Sequence, residues 1–363
     1  MFTEASAGHE LRGDAGATAP ASRGTIVRVR AVIDETADAR SFVVEPAAEA
    51  AHLFDYRPGQ FLTVRVPDAG SGSARCYSLS SSPHCDPALK FTVKRVSGGH
   101  GSNWLCDTVE AGDEIEVLPP AGTFTPAALD RPVVLIAGGS GITPVIAIAK
   151  SILFGGTGDV VLVYANRDEA SVIFAGELRA LEHRFPERFT VIHHLESLQG
   201  HPTRRTLALL LRPLADREVY LCGPAPLMDL AGAACSDAGI PGGRVHAERF
   251  RSLQQDPFTT GAALDATEPG TAEVACTVRV SIDGADHVVP WTAGRKLLDA
   301  LLAAGIDAPY SCREGACSAC VCSLTSGKVN LARNAILAEA DLAEGYILAC
   351  QAEPVSDEVS IAY

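Results

Sequence analysis

"YSCREGACSAC", residues 310–320, places three cysteines within nine residues, and a fourth, Cys322, follows two positions later. The chain has eleven cysteines, and the seven outside this frame are scattered or isolated. Its first twenty residues, "MFTEASAGHELRGDAGATAP", carry Glu4 and no apolar core run, so they do not read as a signal peptide. Without export, a disulfide scaffold is not expected. Clustered thiols point instead to metal or redox chemistry in a reducing cytoplasm.

The spacing is Cys312-x4-Cys317-x2-Cys320, with Cys350 after twenty-nine further residues. That is the plant-type [2Fe–2S] pattern. A structural zinc site favours two separated C-x2-C pairs, and here there is one. A lone C-x2-C redox pair leaves Cys312 and Cys350 without a role. The loop between the thiols is rich in Gly and Ala, so its backbone N–H groups can approach the sulfurs. The fourth ligand is expected to be Cys350, not Cys322. In an extended "ACVCSL", Cys320 and Cys322 would share a face roughly 6–7 Å apart, awkward for one compact centre. Cys350 ends the apolar run "YILAC", which can pack beside the loop; Cys322 is read as a buried structural thiol.

Working outward, residues 273–363 open with "VACTVRVSIDGADHVVPW", two strands about an Asp283–Gly284 turn signal. The helical stretch "KLLDALLAAG", stopped by Gly305, follows, and the unit resembles a β-grasp domain. Residues 251–272 are aperiodic and rich in Thr, Gly, Pro and acid, and read as a linker. Over 129–250, apolar runs such as "VVLIAGG", "DVVLVYANR" and "EVYLCGP" alternate with helical patterns, which predicts a parallel α/β sheet. Residues 132–149 contain no charge, but their central glycines and Pro144 indicate a strand, a turn and a helix start, not a membrane span. Over 25–128, short runs separated by Gly, Pro and Asp predict an antiparallel β-barrel. Residues 1–24 read as a disordered tail. The expected fold is therefore multidomain: barrel, parallel α/β sheet and β-grasp unit.

The chain has 363 residues and a formal net charge of −14. Such a surface repels phosphate backbones and anionic lipid, so nucleic acid and membrane are not expected partners. Residues 273–363 hold twelve Asp/Glu against six Lys/Arg, which suits docking on a basic face.

Five short motifs run in order: "RCYSLSS" (75–81), "GGHGSNWL" (98–105), "AGGSGITP" (137–144), "YLCGPAPLM" (220–228) and "ERF" (248–250). The glycine turn at 137–144 is not the G-x-G-x-x-G fingerprint, yet it offers bare backbone at a helix start, which suits a pyrophosphate. Together with the cysteine loop, these motifs resemble the ferredoxin-reductase superfamily, in particular oxygenase reductases with a C-terminal ferredoxin domain. At finer grain, "ARCYSLSSSP", "LVYANRDEASVIF", "LESLQG" and "LLAAGIDAPYSCREGACSAC" resemble reductase components of 3-ketosteroid 9α-hydroxylases. Phenylacetyl-CoA epoxygenase reductases share the architecture.

The resemblance implies roles. Arg75 would meet a flavin pyrophosphate, Tyr77 the isoalloxazine and Ser78 its reactive N5. Backbone at Val93 and Lys94 would face the flavin, and Gly99, Gly101 and Ser102 would hold its phosphates. Gly138, Gly139, Gly141 and Thr143 would receive the dinucleotide, with Cys222, Gly223 and Pro224 against the nicotinamide. Glu248 would lie near the transfer site and Phe250 over the flavin. Ser78, Cys222 and Glu248 would be the chief positioning groups for catalysis. The implied cofactors are FAD, a [2Fe–2S] cluster on Cys312, Cys317, Cys320 and Cys350, and NADH. FAD over FMN rests on the resemblance. NADH over NADPH is expected because Asp168 and Glu169 follow Arg167 and would repel a 2′-phosphate. The partner would be an iron-containing terminal oxygenase, and the chain is expected to be monomeric.

Overall fold

The computed structural model describes residues 22–67, 73–250, 253, 256–258, 274–282, 284–337 and 339–363. Most of the 1–24 tail, most of the 251–272 linker and Asp283 of the hairpin turn lie outside the described residues.

The first sheet holds β1 (Thr25–Thr36), β2 (Ala39–Pro46), β3 (Phe61–Val66), β4 (Ser73–Ser78), β5 (Leu89–Lys94) and β6 (Glu114–Ala121), with α1 (His100–Thr108) after β5. The strands pair antiparallel in the order β4-β3-β6-β1-β2-β5. A bridge between Leu79 and Phe91 joins the two ends, and the Ser80 amide donates to the Lys90 carbonyl at 2.7 Å. The sheet is thus a closed barrel, with no free edge along that seam. Alternation sends Val27, Val29, Phe42, Val44, Leu62, Val64 and Phe91 to its interior, where all are fully buried.

The second sheet is entirely parallel, β11-β10-β7-β8-β9. It is built from β7 (Val133–Gly138), β8 (Val160–Asn166), β9 (Phe189–Leu195), β10 (Glu218–Cys222) and β11 (Val245–Glu248). The connecting helices are α2 (Ile142–Gly155), α3 (Ala175–Arg184), α4 (Glu196–Gln199), α5 (Arg204–Leu211) and α6 (Ala225–Asp237). Because helices cover both faces, β7 is buried at every residue and reads as an unbroken apolar run. The charge-free stretch 132–149 divides into β7, a tight turn and α2, as expected from its glycines. No helix among the described residues is long and apolar enough to cross a membrane.

The third unit contains β12 (Val274–Ile282), β13 (Ala285–Thr292), α7 (Leu297–Ala303), β14 (Val321–Ser326), β15 (Val329–Leu331), α8 (Glu339–Ala343), β16 (Tyr346–Leu348), β17 (Ala352–Pro354) and β18 (Glu358–Ala362). Its main sheet runs β13-β12-β18-β14-β16, with β12 and β18 parallel and the other pairs antiparallel. Leu297, Leu298 and Leu301 of α7 pack on that sheet beside the fully buried Trp291. Gly305 adopts φ +78°, and the Ile306 amide reaches back to the Leu301 carbonyl at 3.0 Å, which closes the helix end.

Barrel and parallel sheet are pinned together by buried polar contacts. Lys150, 2% exposed, pairs with Asp86 of the barrel at 2.7 Å and with Glu177 at 2.8 Å. The Ser82 and Ser151 hydroxyls meet at 2.7 Å. A buried lysine is costly unless it is paired, so this junction resists opening. The segment read as a linker also takes part in packing. Leu253 and Phe258 are buried with Phe61, Ala74 and Leu118 of the barrel and Cys312, Ala316 and Cys317 of the thiol loop.

Candidate functional site

The thiol loop is shaped by backbone before chemistry enters. Arg313, Gly315 and Ser318 all have left-handed φ, at 56°, 70° and 56°. For the two non-glycine residues that conformation costs about 1–2 kcal/mol each, so the surroundings must hold it. The Gln351 amide does so by donating to the Arg313 carbonyl at 2.7 Å, and the Ala335 N–H donates to the Gly315 carbonyl at 3.1 Å. The bent loop turns its N–H groups inward. Glu314 and Ala316 donate to the Cys312 sulfur at 3.3 and 3.4 Å, and the Cys312 amide donates to the Cys317 sulfur at 3.3 Å.

All four expected ligands are buried, and their side chains form a connected set. Cys312 lies close enough to Cys317 and Cys350, and Cys350 to Cys320, for their protonation to be linked. Among the described residues no group of three or more His, Cys, Asp or Glu side chains is disposed to hold a single metal ion. The four buried thiols and their x4–x2 spacing fit a two-iron core. The same contacts that lower the Cys312 thiol raise those of Cys317 and Cys350, so the set titrates as one unit and a bound metal would displace its shared protons. These donors to sulfur and the burial fit a [2Fe–2S] cluster. Cys322 stands apart from the set. It pairs across β14 to Ile347 and faces the core beside Tyr363, where burial pushes its thiol up. The strand β14 begins at Val321, and Cys320 lies one residue before it at the end of the loop, its carbonyl accepting from the Ala349 amide at 3.1 Å.

On the barrel, a cavity of about 310 Å³ is lined by Arg75, Tyr77, Ser78, Lys94, Gly99, Gly101, Ser102, Thr143 and Phe250. Eight residues from four separate motifs, together with Lys94, therefore converge. Tyr77 stacks on Phe91, ring centres 5.9 Å apart, and Phe91 stacks on Phe42 at 5.2 Å, so a column of barrel aromatics fixes its plane. The Arg75 guanidinium donates to the Ala74 carbonyl at 2.7 Å and forms no ion pair among the described residues, leaving its charge to the cavity. A Cβ on Gly101 would meet Arg75 and Tyr77 side-chain atoms at 3.0 and 3.6 Å, so the glycine keeps the α1 start close to both. The Ser102 hydroxyl accepts from the Val96 amide at 3.1 Å and thereby ties the loop before α1 to the helix. Phe250 is 47% exposed and lies at the cavity, so it is not a core aromatic. Val93 points its side chain into the barrel core; only its backbone remains for a ligand. This pocket suits a flavin: cation, aromatic, hydroxyl and a glycine-opened helix start. Cys76, Thr92, His100 and Ser140 also line it, and the motifs did not single them out.

A second groove, about 540 Å³, begins at the same Lys94 and runs over the carboxyl ends of the parallel strands, where such sheets receive ligands. Gly138, Gly139 and Pro224 line it, with Asn166, Arg167, His194, Glu196 and His201. Gly141 has a different duty from Gly139. A Cβ there would sit 2.1 Å from the Cys222 carbonyl oxygen, so Gly141 lets the turn before α2 pack on the end of β10. Gly223 approaches Gly138 in the same seam. The expected acids, Asp168 and Glu169, do not line this groove. Asp168 caps the turn at Ser171, its carboxylate accepting from that amide at 2.9 Å, and Glu169 faces a separate depression. The carboxylate in the groove is Glu196, 3.3 Å from His201, while Arg167 pairs with Asp38 at 3.1 Å.

Glu248 and Cys222 end the neighbouring strands β11 and β10, directly opposite in register. Glu248 is half-buried as a residue, but its carboxyl is enclosed, and that burial pushes its pKa up to about 8. Burial, with Glu248 adding to it, holds the Cys222 thiol protonated.

The cavity and the thiol loop lie on opposite faces of one wall. Cys76 lies between Arg75 and Tyr77, and its sulfur is 3.5 Å from the Thr63 hydroxyl. Thr63 in turn meets the Ser311 hydroxyl at 2.8 Å, and Ser311 precedes Cys312. Flavin site, dinucleotide groove and iron–sulfur loop in such succession define an oxidoreductase that moves electrons between a nicotinamide and an iron–sulfur centre.

Comparison with known proteins agrees. The chain matches an oxidoreductase FAD-binding domain over residues 27–125, an oxidoreductase NAD-binding domain over 135–232 and a 2Fe-2S iron-sulfur cluster binding domain over 280–355. It is 52% identical to the ferredoxin reductase component of 3-ketosteroid-9-alpha-monooxygenase from Rhodococcus rhodochrous, covering 94% of this chain and 97% of that protein. It is 31% identical to a polypeptide of the 1,2-phenylacetyl-CoA epoxidase of Escherichia coli (strain K12), covering 92% and 96%. The solved structure of phthalate dioxygenase reductase superposes with a TM-score of 0.56 at 27% identity, covering 94% and 98%. The chain belongs to the family of oxygenase reductase components that carry FAD-binding, NAD-binding and 2Fe-2S domains in one polypeptide.

Two outcomes follow from this geometry. Cys350→Ser is expected to abolish the visible cluster bands of the purified protein, and Cys322→Ser to retain them; the reverse pattern would exchange the ligand assignment. For Glu248, the folded chain keeps between pH 4.5 and about 8 a proton that the unfolded chain releases, so this group's contribution to stability falls as pH rises through that window. Glu248→Gln, neutral throughout, should flatten that part of the dependence in urea unfolding run from pH 5 to 9.

Proposed function

We propose that this chain is the reductase component of a 3-ketosteroid 9α-monooxygenase system, drawing electrons from NADH and delivering them to an iron-containing terminal oxygenase. The observation that supports a relay is the wall between cavity and thiol loop: Arg75 and Tyr77 border the flavin cavity, and Cys76, through Thr63 and Ser311, reaches the residue before Cys312. The steroid assignment is supported by the 52% identical Rhodococcus protein of that name. The functional units are taken as 25–128, 129–250 and 273–363, bracketing the three sheets. The chain is taken to act as a monomer in the cytoplasm.

When bound, a flavin takes two electrons together from a nicotinamide and yields them singly to a one-electron centre such as [2Fe–2S]. The protein's share is placement. Arg75, Gly99, Gly101 and Ser102 hold the flavin phosphates, by a cation and by backbone at a helix start. Tyr77 and Phe250 contact its ring, and Ser78, 4% exposed at the cavity, presents a hydroxyl to it. Gly138 and Gly139 accept the dinucleotide across the seam that Gly141 and Gly223 keep tight, whereas Thr143, expected there from the resemblance, lines the flavin cavity. Cys222 and Glu248 close the strand ends as uncharged groups at neutral pH, so nothing there opposes a hydride donor. No protein nucleophile takes part. Cys312, Cys317, Cys320 and Cys350 hold the cluster, and the Thr63–Ser311 pair, a buried hydrogen bond contributing about 1 kcal/mol, keeps the loop seated on the flavin wall.

NADH preference is supported by Glu196, whose carboxylate stands in the groove and disfavours a 2′-phosphate, while Asp38 occupies Arg167.

Paired with purified oxygenase components, the chain is expected to sustain NADH-driven hydroxylation of a 3-ketosteroid and to give no turnover with a phenylacetyl-CoA oxygenase. Turnover with the latter alone would move the assignment to that system. Glu196→Gln should narrow the NADH-over-NADPH ratio in kcat/KM by roughly tenfold, about 1.4 kcal/mol of differential binding, with ferricyanide as acceptor.

A further inference from the structure

Arg23 precedes β1 and belongs by sequence to the stretch read as a tail. In the structure it crosses to the third unit, the carrier unit that bears the thiol loop. Its guanidinium carbon lies 3.6 Å from the centre of the Tyr310 ring, and its Nη2 donates to the Tyr310 carbonyl at 3.0 Å. Its own amide donates to the Phe258 carbonyl at 3.1 Å, which fastens it from the other side. Tyr310 is two residues before Cys312, and the guanidinium is near enough to Cys317 to interact with it electrostatically.

The neighbouring charges single Arg23 out. Arg313 approaches the same ring at 5.1 Å, but it pairs with Asp299 at 2.5 Å, which balances its charge. Arg65, the other barrel arginine on this face, is held by Glu116 and by Asp256. Asp307 is exposed, so water screens its pull on Arg23. Arg23 makes no ion pair among the described residues, and its Nη1 is buried there without a hydrogen-bond partner. Burying a guanidinium so incompletely satisfied is unfavourable unless a negative charge lies close by. Four thiolates around a two-iron core carry that charge, and an added electron increases it.

We propose that Arg23 tunes the iron–sulfur centre: its charge, brought against the thiol loop where the carrier unit seats on the barrel, raises the cluster's reduction potential. Net charge and burial are among the determinants of such potentials. Arg23 is thus a positioning and tuning residue for the relay function, on which this inference rests, and it contacts neither flavin nor nicotinamide.

The test is a spectroelectrochemical titration of the anaerobically reconstituted full chain with Arg23→Gln, Arg23→Met and Arg23→Lys. The neutral variants should disfavour cluster reduction about tenfold, the order of effect expected of one nearby unit charge at the effective dielectric of a protein. For a one-electron couple that is a fall of about 59 mV. Arg23→Lys should stay near the parent, and the flavin couple should not move in any variant. A neutral variant with a full cluster at the parent potential overturns the proposal. So does a lysine variant that falls as far as the glutamine one. If neutral variants cannot be reconstituted while the lysine variant can, Arg23 serves assembly, and the tuning role is likewise rejected. A parent protein lacking cluster absorbance would refute the relay reading itself, a separate outcome.

Discussion

Strand alternation in β3 and β4 is the constraint on which the rest of the molecule depends. Leu62 and Val64 fill the barrel, while Phe61 and Thr63, one residue out of phase, face the carrier unit. In β4, Arg75 and Tyr77 border the flavin cavity, Ala74 packs toward the thiol loop, and Cys76 touches both. Successive side chains point to opposite faces, so a wall one strand thick serves two sites at once. Register is therefore doubly specified. A slip by one residue would exchange the two faces and separate both sites from their ligands.

The polar contacts are unequal in kind. Lys150 with Asp86 and Glu177 is a buried ionic joint between barrel and parallel sheet, and removing one partner leaves a charge stranded. The barrel–carrier junction instead rests on a hydroxyl pair, a half-buried arginine and a small apolar cluster. The first joint holds a dinucleotide groove and a flavin cavity that meet at Lys94, where transfer demands fixed geometry. The second is softer, as suits a unit that must also meet a partner.

Much of this was legible in the residues. The unbroken apolar β7, the hairpin of β12 and β13 and the closure of α7 at Gly305 follow from local pattern, because burial and turn chemistry act over a few residues. The iron–sulfur loop was legible because two-iron coordination imposes a spacing. Motif residues from 75 to 250 were named from resemblance, and the chain brings most of them to one cavity. The acid of the groove was misjudged: Asp168 and Glu169 sit where sequence suggests a ribose contact, yet Asp168 is consumed as a cap, and Glu196 arrives from the end of β9.

The amino-acid order alone determined which elements form and that they fall into three units, since each depends on short-range periodicity or spacing. Only the tertiary structure decided that Cys76, Thr63 and Ser311 would meet, that Gly141 packs against Cys222 while Gly139 lines the groove, and that Arg23 leaves the tail to lie on Tyr310. Such contacts join residues far apart in the chain. What selects them is the area and polarity that each surface must cover when the units close, and no local window of sequence contains that information.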